Sequence, residues 1–476
     1  MPDSSALARD DVAALRSLSA AASYGLYLGE GDGGPAFAAP QHGLLVLGPP
    51  RSGKTSTIVV PNVLAAAGPV VTTSTKPDLL LLTSPSRSEL GTCFLFDPSG
   101  SVTAPPGVRR IGWSPLVSAH RFEDATVVAQ AMLEAARPGA TREEAAHWNE
   151  RASSLLSVFF HAGAVGRLPF AGVVEAIDTR EPGELRTVLA RHGARRASSI
   201  LTGILGTDSR EQSGIWSTAA SILSCYRSEA AIESTAGELI DPAGFARARD
   251  SLYICAPGDR QRVVAPVIAA MIRDLKEAAY KHSAERSPLG LAGDAPMLLA
   301  LDEVANIAPL SELPSIVTQG GSQGVVVLAC FQDLSQAAGR WPMDWKGFFS
   351  TFGAKLVFPG IADTDTLERI SSLLGEHDEV FRSETRPTKL QIFFDRAQVS
   401  RTTSTRRVRR YPVGELAKGY GDGTALLLEG VEPSIVGTRR WQPVLRREQP
   451  GWEQPGREQQ ARDLNDPSRG PRTFRG

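Results

Sequence analysis

The sequence predicts an α/β protein with a largely parallel central sheet and an inserted all-α segment. Eight short apolar runs are bounded by turn residues and separated by stretches of helical pattern, which is typical of strands buried on both faces. The long gap between the third and fourth runs is rich in helix formers, and it predicts the insertion. The runs lie at residues 43–47, 69–73, 93–96, 251–256, 297–301, 325–330, 354–358 and 424–428.

The composition is that of an ordinary globular protein and excludes several classes. The chain has 476 residues, 42% of them hydrophobic, and 51 Lys+Arg against 52 Asp+Glu give a net charge of −1. This balance excludes nucleic-acid binding by bulk positive charge, although it allows local basic patches. The 4 cysteines form no CxxC pair, which favours a reducing compartment over a disulfide framework or a zinc site. No apolar stretch is long enough to span a bilayer, so we expect a soluble chain.

The first apolar run leads directly into a complete GxxxxGK[ST] motif at residues 48–55. A predicted helix over 54–66 follows, and this strand–loop–helix context is the one in which such a loop binds phosphates. Its glycines let successive backbone N–H groups point inward at a helix N-terminus, where the dipole favours negative charge. We expect Lys54 to bind the β- and γ-phosphates and Thr55 to bind Mg²⁺. The predicted nucleotide-binding residues are Gly48, Pro49, Pro50, Arg51, Ser52, Gly53, Lys54, Thr55 and Ser56.

Two carboxylates, Asp302 and Glu303, follow the apolar run at 297–301. A nucleoside-triphosphatase needs one carboxylate to hold the hydrated Mg²⁺ and a second to orient and deprotonate the attacking water. We assign Asp302 to the metal and Glu303 to the water. Gln332 closes the next run, so we expect its amide near the γ-phosphate as a sensor or water-positioning group. A strand-end glutamine that bonds to the backbone is the alternative. The predicted catalytic set is Lys54, Glu303 and Gln332.

Further motifs accompany the loop and the acidic strand in a fixed order. They are GPPRSGKTSTIVVPNVL (48–64), TSTKPDLL (73–80), LFDPSG (95–100), GWSPL (112–116), HWNERASSLL (147–156) and LDEVANIAPLSELPSIVTQGGSQGVVVLACFQ (301–332). Together they resemble the TraG/TraD-type coupling ATPases of conjugative type IV secretion, especially the actinobacterial branch. The resemblance implies a RecA-like nucleotide-binding domain with an all-α domain inserted between its strands, and ATP and Mg²⁺ as ligands. It also implies a homo-hexameric ring whose ATP hydrolysis drives DNA, or a DNA–relaxase complex, towards a secretion channel.

The resemblance divides the chain into five predicted segments. A tail poor in apolar residues cannot offset its ordering entropy, so we expect it to be disordered. The segments are an N-terminal helical segment (1–30), the first part of the RecA-like domain (31–120), the all-α domain (121–245), the second part of the RecA-like domain (246–445) and the tail (446–476).

Two features depart from the family pattern. Family members usually carry N-terminal transmembrane helices, whereas none is predicted here. We therefore expect a cytoplasmic protein of a soluble subgroup, or one that a membrane-anchor protein docks at the inner face of the membrane. Some members carry an arginine before the sensor strand that reaches the neighbouring subunit's nucleotide, but here that turn is 320–324 (GGSQG). An arginine finger must therefore come from elsewhere, with Arg369, Arg340 and Arg210 as the candidates, or be absent.

A basic cluster near the C-terminus has no acidic neighbours in sequence. Neutralising several phosphates gives salt-sensitive, sequence-independent affinity, so the cluster predicts contact with DNA. A solvated basic strand offset by acids elsewhere is the alternative. Lys76 and Asp78 of the TSTKPD motif are equally consistent with coupling nucleotide state to motion and with a surface ion pair. The cluster consists of Arg401, Arg406, Arg407, Arg409 and Arg410.

Two other functions share parts of this pattern. One is a soluble double-stranded DNA translocase of the FtsK or HerA kind, which has the same RecA-like core. The helical insertion and the TSTKPD and GWSPL motifs favour the coupling family over it. The other is a nucleotide-dependent adaptor that binds protein cargo and never moves DNA. Neutralising the basic cluster should weaken DNA binding by a coupling protein or a translocase, whereas it should change nothing in the adaptor.

Overall fold

Parallel strands form the centre of the molecule. The computed structural model describes residues 9–137, 143–258, 260–286, 295–342, 344–385, 400–430 and 433–441. The strands of these residues are β1 Tyr27–Gly31, β2 Gly34–Phe37, β3 Leu44–Leu47, β4 Val70–Ser74, β5 Cys93–Phe96, β6 Val108–Arg110, β7 Ser251–Cys255, β8 Met297–Leu301, β9 Val325–Phe331, β10 Ala354–Val357, β11 Glu376–Thr385, β12 Ser400–Arg409, β13 Thr424–Leu428 and β14 Ser434–Gly437.

Within the described residues, 12 strands form one sheet, in the order β2-β1-β14-β13-β10-β3-β9-β8-β4-β7-β5-β6. All pairs from β10 to β6 are parallel, and β13, β14, β1 and β2 extend the sheet as antiparallel strands at one edge. Each of the eight predicted apolar runs is a strand of this sheet. The largely parallel α/β architecture predicted from the sequence is therefore confirmed.

Helices cover both faces of the sheet. They are α1 Arg9–Ala21, α2 Val60–Ala65, α3 Asp78–Arg87, α4 Phe122–Ala136, α5 Glu143–Gly166, α6 Phe170–Thr179, α7 Gly183–Arg191, α8 Arg195–Leu205, α9 Ser209–Ile222, α10 Glu229–Glu233, α11 Pro242–Arg247, α12 Gln261–Arg286, α13 Val304–Ile307, α14 Leu313–Gln319, α15 Leu334–Arg340, α16 Phe348–Thr351, α17 Thr364–Leu373 and α18 Val413–Lys418. A π-helical turn, Thr55–Val59, precedes α2. Among the described residues, no helix is long and apolar enough to cross a bilayer.

The alternation of side chains along β3 shows how the two layers are built. Leu44 and Val46 pack with the residues of α1 and α2, whereas Leu45 and Leu47 pack with those of α12 on the opposite face. All four side chains are fully buried. A strand buried on both faces needs apolar residues at every position, and this requirement explains the continuous apolar run in the sequence.

Helices α4 to α11 occupy the chain between β6 and β7, where the sequence predicts the all-α domain. Their centre is α5, which packs against α4, α7, α8 and α9 and buries Phe159 and Phe160 completely. Helix α4 also packs along α12, the long helix that follows β7. The boundaries of the predicted domains remain a prediction.

The first 30 residues are not helical throughout, because β1 begins at Tyr27. The side chain of Asn62 accepts a hydrogen bond from the Tyr27 N–H (2.8 Å) and donates one to its carbonyl (2.9 Å), and so it fixes this strand to α2. The contact joins residues 35 positions apart, so no local pattern could predict it. The predicted disordered tail, 446–476, lies outside the described residues.

Candidate nucleotide-binding site

The carboxyl ends of four neighbouring parallel strands define one edge of the sheet. Leu47 of β3 lies opposite Phe331 of β9, and Leu301 of β8 lies opposite Ala329 of β9. On the other side of β3, Leu47 lies opposite Val357 of β10. Because parallel strands all end at the same edge, the GxxxxGK[ST] loop, the Asp–Glu pair and Gln332 emerge side by side. Clefts outside the carboxyl ends of such strands are where α/β proteins bind their ligands.

The loop after β3 is shaped by two glycines. A Cβ atom at Gly48 would lie 2.7 Å from Cβ of Phe358, so only glycine allows the loop to pack against the end of β10. Gly53 has a φ of +97°, which L side chains rarely adopt. The hydroxyl of Ser52 is buried in this loop without a hydrogen-bond partner. A buried orphan hydroxyl in a loop of this shape fits a bound phosphate oxygen.

Lys54 folds back over the loop that precedes it. Its ammonium donates to the carbonyl oxygens of Gly48 and Pro49, the latter at 2.9 Å. The charge therefore lies over the cradle in which the phosphates are expected. Phosphate oxygens are stronger acceptors for an ammonium than neutral carbonyls, so an incoming triphosphate can replace these bonds.

Thr55 and Asp302 come together across 247 positions of sequence. The threonine hydroxyl donates to Oδ2 of Asp302 at 2.7 Å, and the backbone oxygen of Asp302 accepts from Oγ1 of Thr73 on the neighbouring strand at 3.1 Å. Burial raises the pKa of the Asp302 carboxyl, while the Thr55 hydroxyl and the Lys54 charge oppose the shift. A hydroxyl and a buried carboxylate are the hard oxygen ligands that Mg²⁺ prefers, so the pair fits the metal predicted from the sequence.

Glu303 occupies a strained position at the end of β8. Its φ and ψ of 53° and 45° lie in the left-handed region, which is uncommon for a residue other than glycine and recurs at functional sites. The carboxyl is half-buried, and its pKa is raised by burial and by the neighbouring charge of Asp302. The charges of Lys54 and Lys76 lower the pKa of Glu303, so the charge of Lys76 acts on this carboxyl. The sequence places Lys76 at this edge but does not reveal that neighbourhood.

Gln332 follows β9 at the same edge, and its side chain is half-buried. Its backbone N–H donates to Oε1 of Gln336 at 3.0 Å, and Asp333 caps α15 by accepting from the Ser335 N–H at 3.0 Å. Gln336 therefore contacts the candidate site, although no sequence motif includes it. Its only signal would have been a polar residue one helical turn after the strand. The sensor role of Gln332 remains a prediction.

Four of the five arginines of the basic cluster lie on β12, and Arg410 directly follows it. Strand β12 pairs with β11 in a two-stranded sheet outside the main sheet. The cluster has no acidic neighbours in sequence, but the structure places acidic residues of β11 beside it. Each paired arginine has an acid opposite it, and Nε of Arg407 lies 3.7 Å from Oδ1 of Asp378. The cause is antiparallel register, which aligns an acidic and a basic strand. The register pairs are Glu376–Arg409, Asp378–Arg407, Glu379–Arg406 and Glu384–Arg401.

The three arginine-finger candidates lie in different parts of the fold. Arg369 is on α17, where its guanidinium stacks over the Trp345 ring at 4.2 Å from the ring centroid. Arg340 ends α15, and Arg210 is in the first turn of α9 among the inserted helices. The structure therefore does not bring the three together, and their role remains a prediction.

A parallel sheet that carries a GxxxxGK[ST] loop on one strand and an Asp–Glu pair on the next strand but one defines the P-loop nucleotide-binding proteins with a RecA-like fold. Within that class, the chain belongs to the family described as "Type IV secretory system Conjugative DNA transfer", which matches residues 9–413. The resemblance to the TraG/TraD-type coupling proteins is thereby confirmed.

Solved structures share this fold at low sequence identity. The unbound bacterial conjugative coupling protein TrwBdeltaN70 is 19% identical with a TM-score of 0.64, over 90% of this chain and 93% of that chain. The plasmid coupling protein TrwB in complex with the GTP analogue GDPNP is 20% identical with a TM-score of 0.63, over 87% and 89% of the two chains. TrwB in complex with ADP and Mg²⁺ is 20% identical with a TM-score of 0.63, over 86% and 87%. A comparison with curated protein sequences finds no match.

Proposed function

We propose that this protein is an ATP-hydrolysing coupling protein that drives DNA, or a DNA–relaxase complex, to a type IV secretion channel during conjugative transfer. The observation that carries the proposal is the 2.7 Å contact between Thr55 and Asp302, with Lys54 and Glu303 beside it. This arrangement supplies the charges and oxygens that triphosphate hydrolysis needs, in a chain whose family serves DNA transfer. TrwB structures with an ATP analogue and with ADP and Mg²⁺ support the choice of ligands.

Binding begins with the loop and its lysine. The backbone N–H groups of residues 48–55 would hold the phosphate oxygens, and Lys54 would exchange its two carbonyl partners for them. When bound, Mg²⁺ supplies positive charge to the phosphate oxygens, and Thr55 and Asp302 would hold it through their side-chain oxygens.

Glu303 is the proposed general base. It would accept a proton from the attacking water. Burial and the charge of Asp302 raise the pKa of the Glu303 carboxyl towards neutral pH, and a general base is most effective when its pKa is near the working pH. Gln332, at the end of the neighbouring strand, would orient the same water. Both residues belong to backbone segments fixed by the sheet, which is the kind of positioning on which phosphoryl transfer depends.

The partners follow from the proposed role. We infer a homo-hexameric ring, a relaxase or relaxosome as the source of DNA, and a secretion channel or a membrane-anchor protein that docks the ring at the inner face of the membrane. A native-mass measurement with and without ATP tests the ring. A monomer under every nucleotide condition would contradict it.

The decisive experiment compares ATP hydrolysis with and without single- or double-stranded DNA. Lys54→Ala should abolish turnover because the phosphate charge is no longer balanced. Glu303→Gln should keep ATP binding while kcat falls by about 10²- to 10⁴-fold, the usual contribution of a general base. ATPase activity that neither DNA nor relaxase changes would contradict the coupling role. Stimulation by protein cargo alone would indicate the adaptor function.

A further inference from the structure

The segment between α13 and α14, residues 308–312, contacts three separate parts of the fold. The carbonyl of Leu310 accepts from Nε1 of Trp341 at 2.7 Å. The hydroxyl of Ser311 donates to Oε2 of Glu134 on α4. Glu312 pairs with α12, which supplies the third contact. We call these five residues the 308–312 segment.

The 308–312 segment is joined to the proposed catalytic base by one helical turn. The carbonyl of Glu303 accepts from the N–H groups of Asn306 (3.0 Å) and Ile307 (3.2 Å), and the Ala308 N–H donates to Val304 at 3.1 Å. Helix α13 is therefore a single hydrogen-bonded turn that begins at Glu303 and ends at the segment. A displacement of Glu303 cannot be absorbed by a flexible linker, because there is none between the two.

The contact with α12 is a cluster of charges around the buried Lys276. The Lys276 side chain is only 4% exposed, and its ammonium lies 2.8 Å from carboxylate oxygens of both Glu312 and Glu277. Nε of Arg273 lies 3.6 Å from Glu312. Because Lys276 is buried, losing one of its two carboxylate partners costs more than breaking a surface pair, so Glu312 and α12 are expected to move together.

The contact with α4 leads into the inserted helices. Glu134 is held by Gln130 of the same helix, whose Nε2 donates to Oε1 at 2.8 Å. Helix α4 packs along both α12 and α5, so it links the 308–312 segment to the centre of the helical region. On its other side the segment is fixed by Trp341, which directly follows α15. Helix α15 in turn begins two residues after Gln332, at the end of β9.

We propose that the 308–312 segment is the relay through which nucleotide in the P-loop acts on the inserted helices, with Ser311 and Glu312 as its positioning residues. A displacement of Glu303 would reach the segment through α13, and a displacement of Gln332 would reach it through α15 and Trp341. The segment would then move α4 through Ser311 and α12 through Glu312. The inference rests on the proposed function only in assuming that nucleotide binds at Lys54.

Hydrogen–deuterium exchange on the full chain tests the relay without requiring hydrolysis. In the wild type, the ATP analogue ADPNP should change amide exchange on α4 by roughly 5-fold or more, the lower range of measured coupling between sites. Ser311→Ala and Glu312→Gln should bind ADPNP with unchanged affinity while this change on α4 is lost. In the same variants kcat for ATP should fall by roughly 10-fold with little change in KM.

Two controls separate positioning from a structural defect. Glu285→Gln removes the same charge from an exposed ion pair on α12, with Arg247, and should leave both the α4 response and kcat at wild-type values. Ser311 is exposed and lies outside the charge cluster around Lys276, so Ser311→Ala reports on the relay even if Glu312→Gln folds poorly. Wild-type binding of ADPNP with no response on α4 would overturn the relay alone. Failure of the wild type to bind any nucleotide would overturn the proposed function, and the relay with it.

Discussion

At the scale of single residues, Arg87 shows how one buried cation can join distant parts of the chain. Its Nε donates to Oγ of Ser251 at 2.7 Å, and its Nη2 donates to the carbonyls of Gly68 (2.9 Å) and Arg249 (3.0 Å). Nη1 donates to the carbonyl of Ala66. Burial lowers the pKa of the guanidinium to about 10, so it stays charged at neutral pH. These bonds fix the amino ends of β4 and β7 against the end of α2.

Replacing Arg87 should therefore cost much more than replacing an exposed arginine. Arg87→Met fills the space but removes the donor that the carbonyls of Ala66, Gly68 and Arg249 share and the partner of the Ser251 hydroxyl, so the free energy of unfolding should fall by about 3 kcal/mol or more. Denaturant titration measures the change. Arg109→Met, which breaks an exposed pair with Glu238, should cost no more than about 1 kcal/mol. Equal losses in the two variants would show that the buried network carries no special weight.

At the scale of elements, the strands could be predicted from the sequence and the two-stranded sheet could not. A strand buried on both faces must be apolar throughout, which is why β3, β8 and β9 stand out as continuous runs. Strands β11 and β12 are mostly charged and polar, and the apolar Val380 and Phe381 of β11 are consecutive and therefore lie on opposite faces, so neither strand has an apolar face to reveal it. Strand β1, next to the edge of the sheet, depends on Asn62, a contact that only the folded chain creates.

The candidate site divides in the same way. The loop at residues 48–55 and the Asp302–Glu303 pair were predictable because their chemistry needs particular residue types in a fixed order next to a strand. The left-handed backbone of Glu303, the approach of Lys76 and the hydrogen bond from Gln332 to Gln336 depend on how neighbouring strands end. These features depend on tertiary contacts, so no local sequence pattern could predict them.

The N-cap of α9 gives a prediction at the element scale. Oδ1 of Asp208 accepts from the backbone N–H groups of Arg210 (2.9 Å) and Glu211 (3.0 Å), two donors that no intrahelical carbonyl can satisfy. Asp208→Ala should lower the free energy of unfolding by about 1 kcal/mol, whereas Asp208→Asn should recover most of the loss because asparagine also caps. Thermal unfolding of the two variants measures the difference. An equal loss in both would indicate an effect of charge instead of capping.

At the scale of the whole molecule, the net charge of −1 is a balanced total, and the structure adds that opposite charges are also paired locally. The arginines of β12 face acids of β11, so the cluster is less basic than its sequence suggests. If it binds DNA, Arg406→Gln, Arg407→Gln and Arg409→Gln combined should weaken binding. The slope of log K against log salt should also become shallower by about 0.9 for each phosphate that the variant no longer neutralises. Removing the opposing charges with Asp378→Asn and Glu379→Gln should strengthen binding. Unchanged DNA affinity in both sets would place the DNA-binding surface elsewhere.

The last prediction concerns the ring. Among the described residues, Lys54 and Lys76 are the cations that lower the pKa of Glu303, whereas the candidate Arg369 is stacked on Trp345. Phosphoryl transfer often uses an arginine from a neighbour, worth about 10³- to 10⁵-fold in rate, so we expect a second copy to complete the site. ATPase activity per chain should then rise with protein concentration as rings assemble. Mixing the wild type with Lys54→Ala chains should lower the activity more steeply than dilution alone, because an inactive neighbour interrupts the cycle around the ring. A strictly proportional loss, with specific activity independent of concentration, would mean that each chain hydrolyses ATP alone.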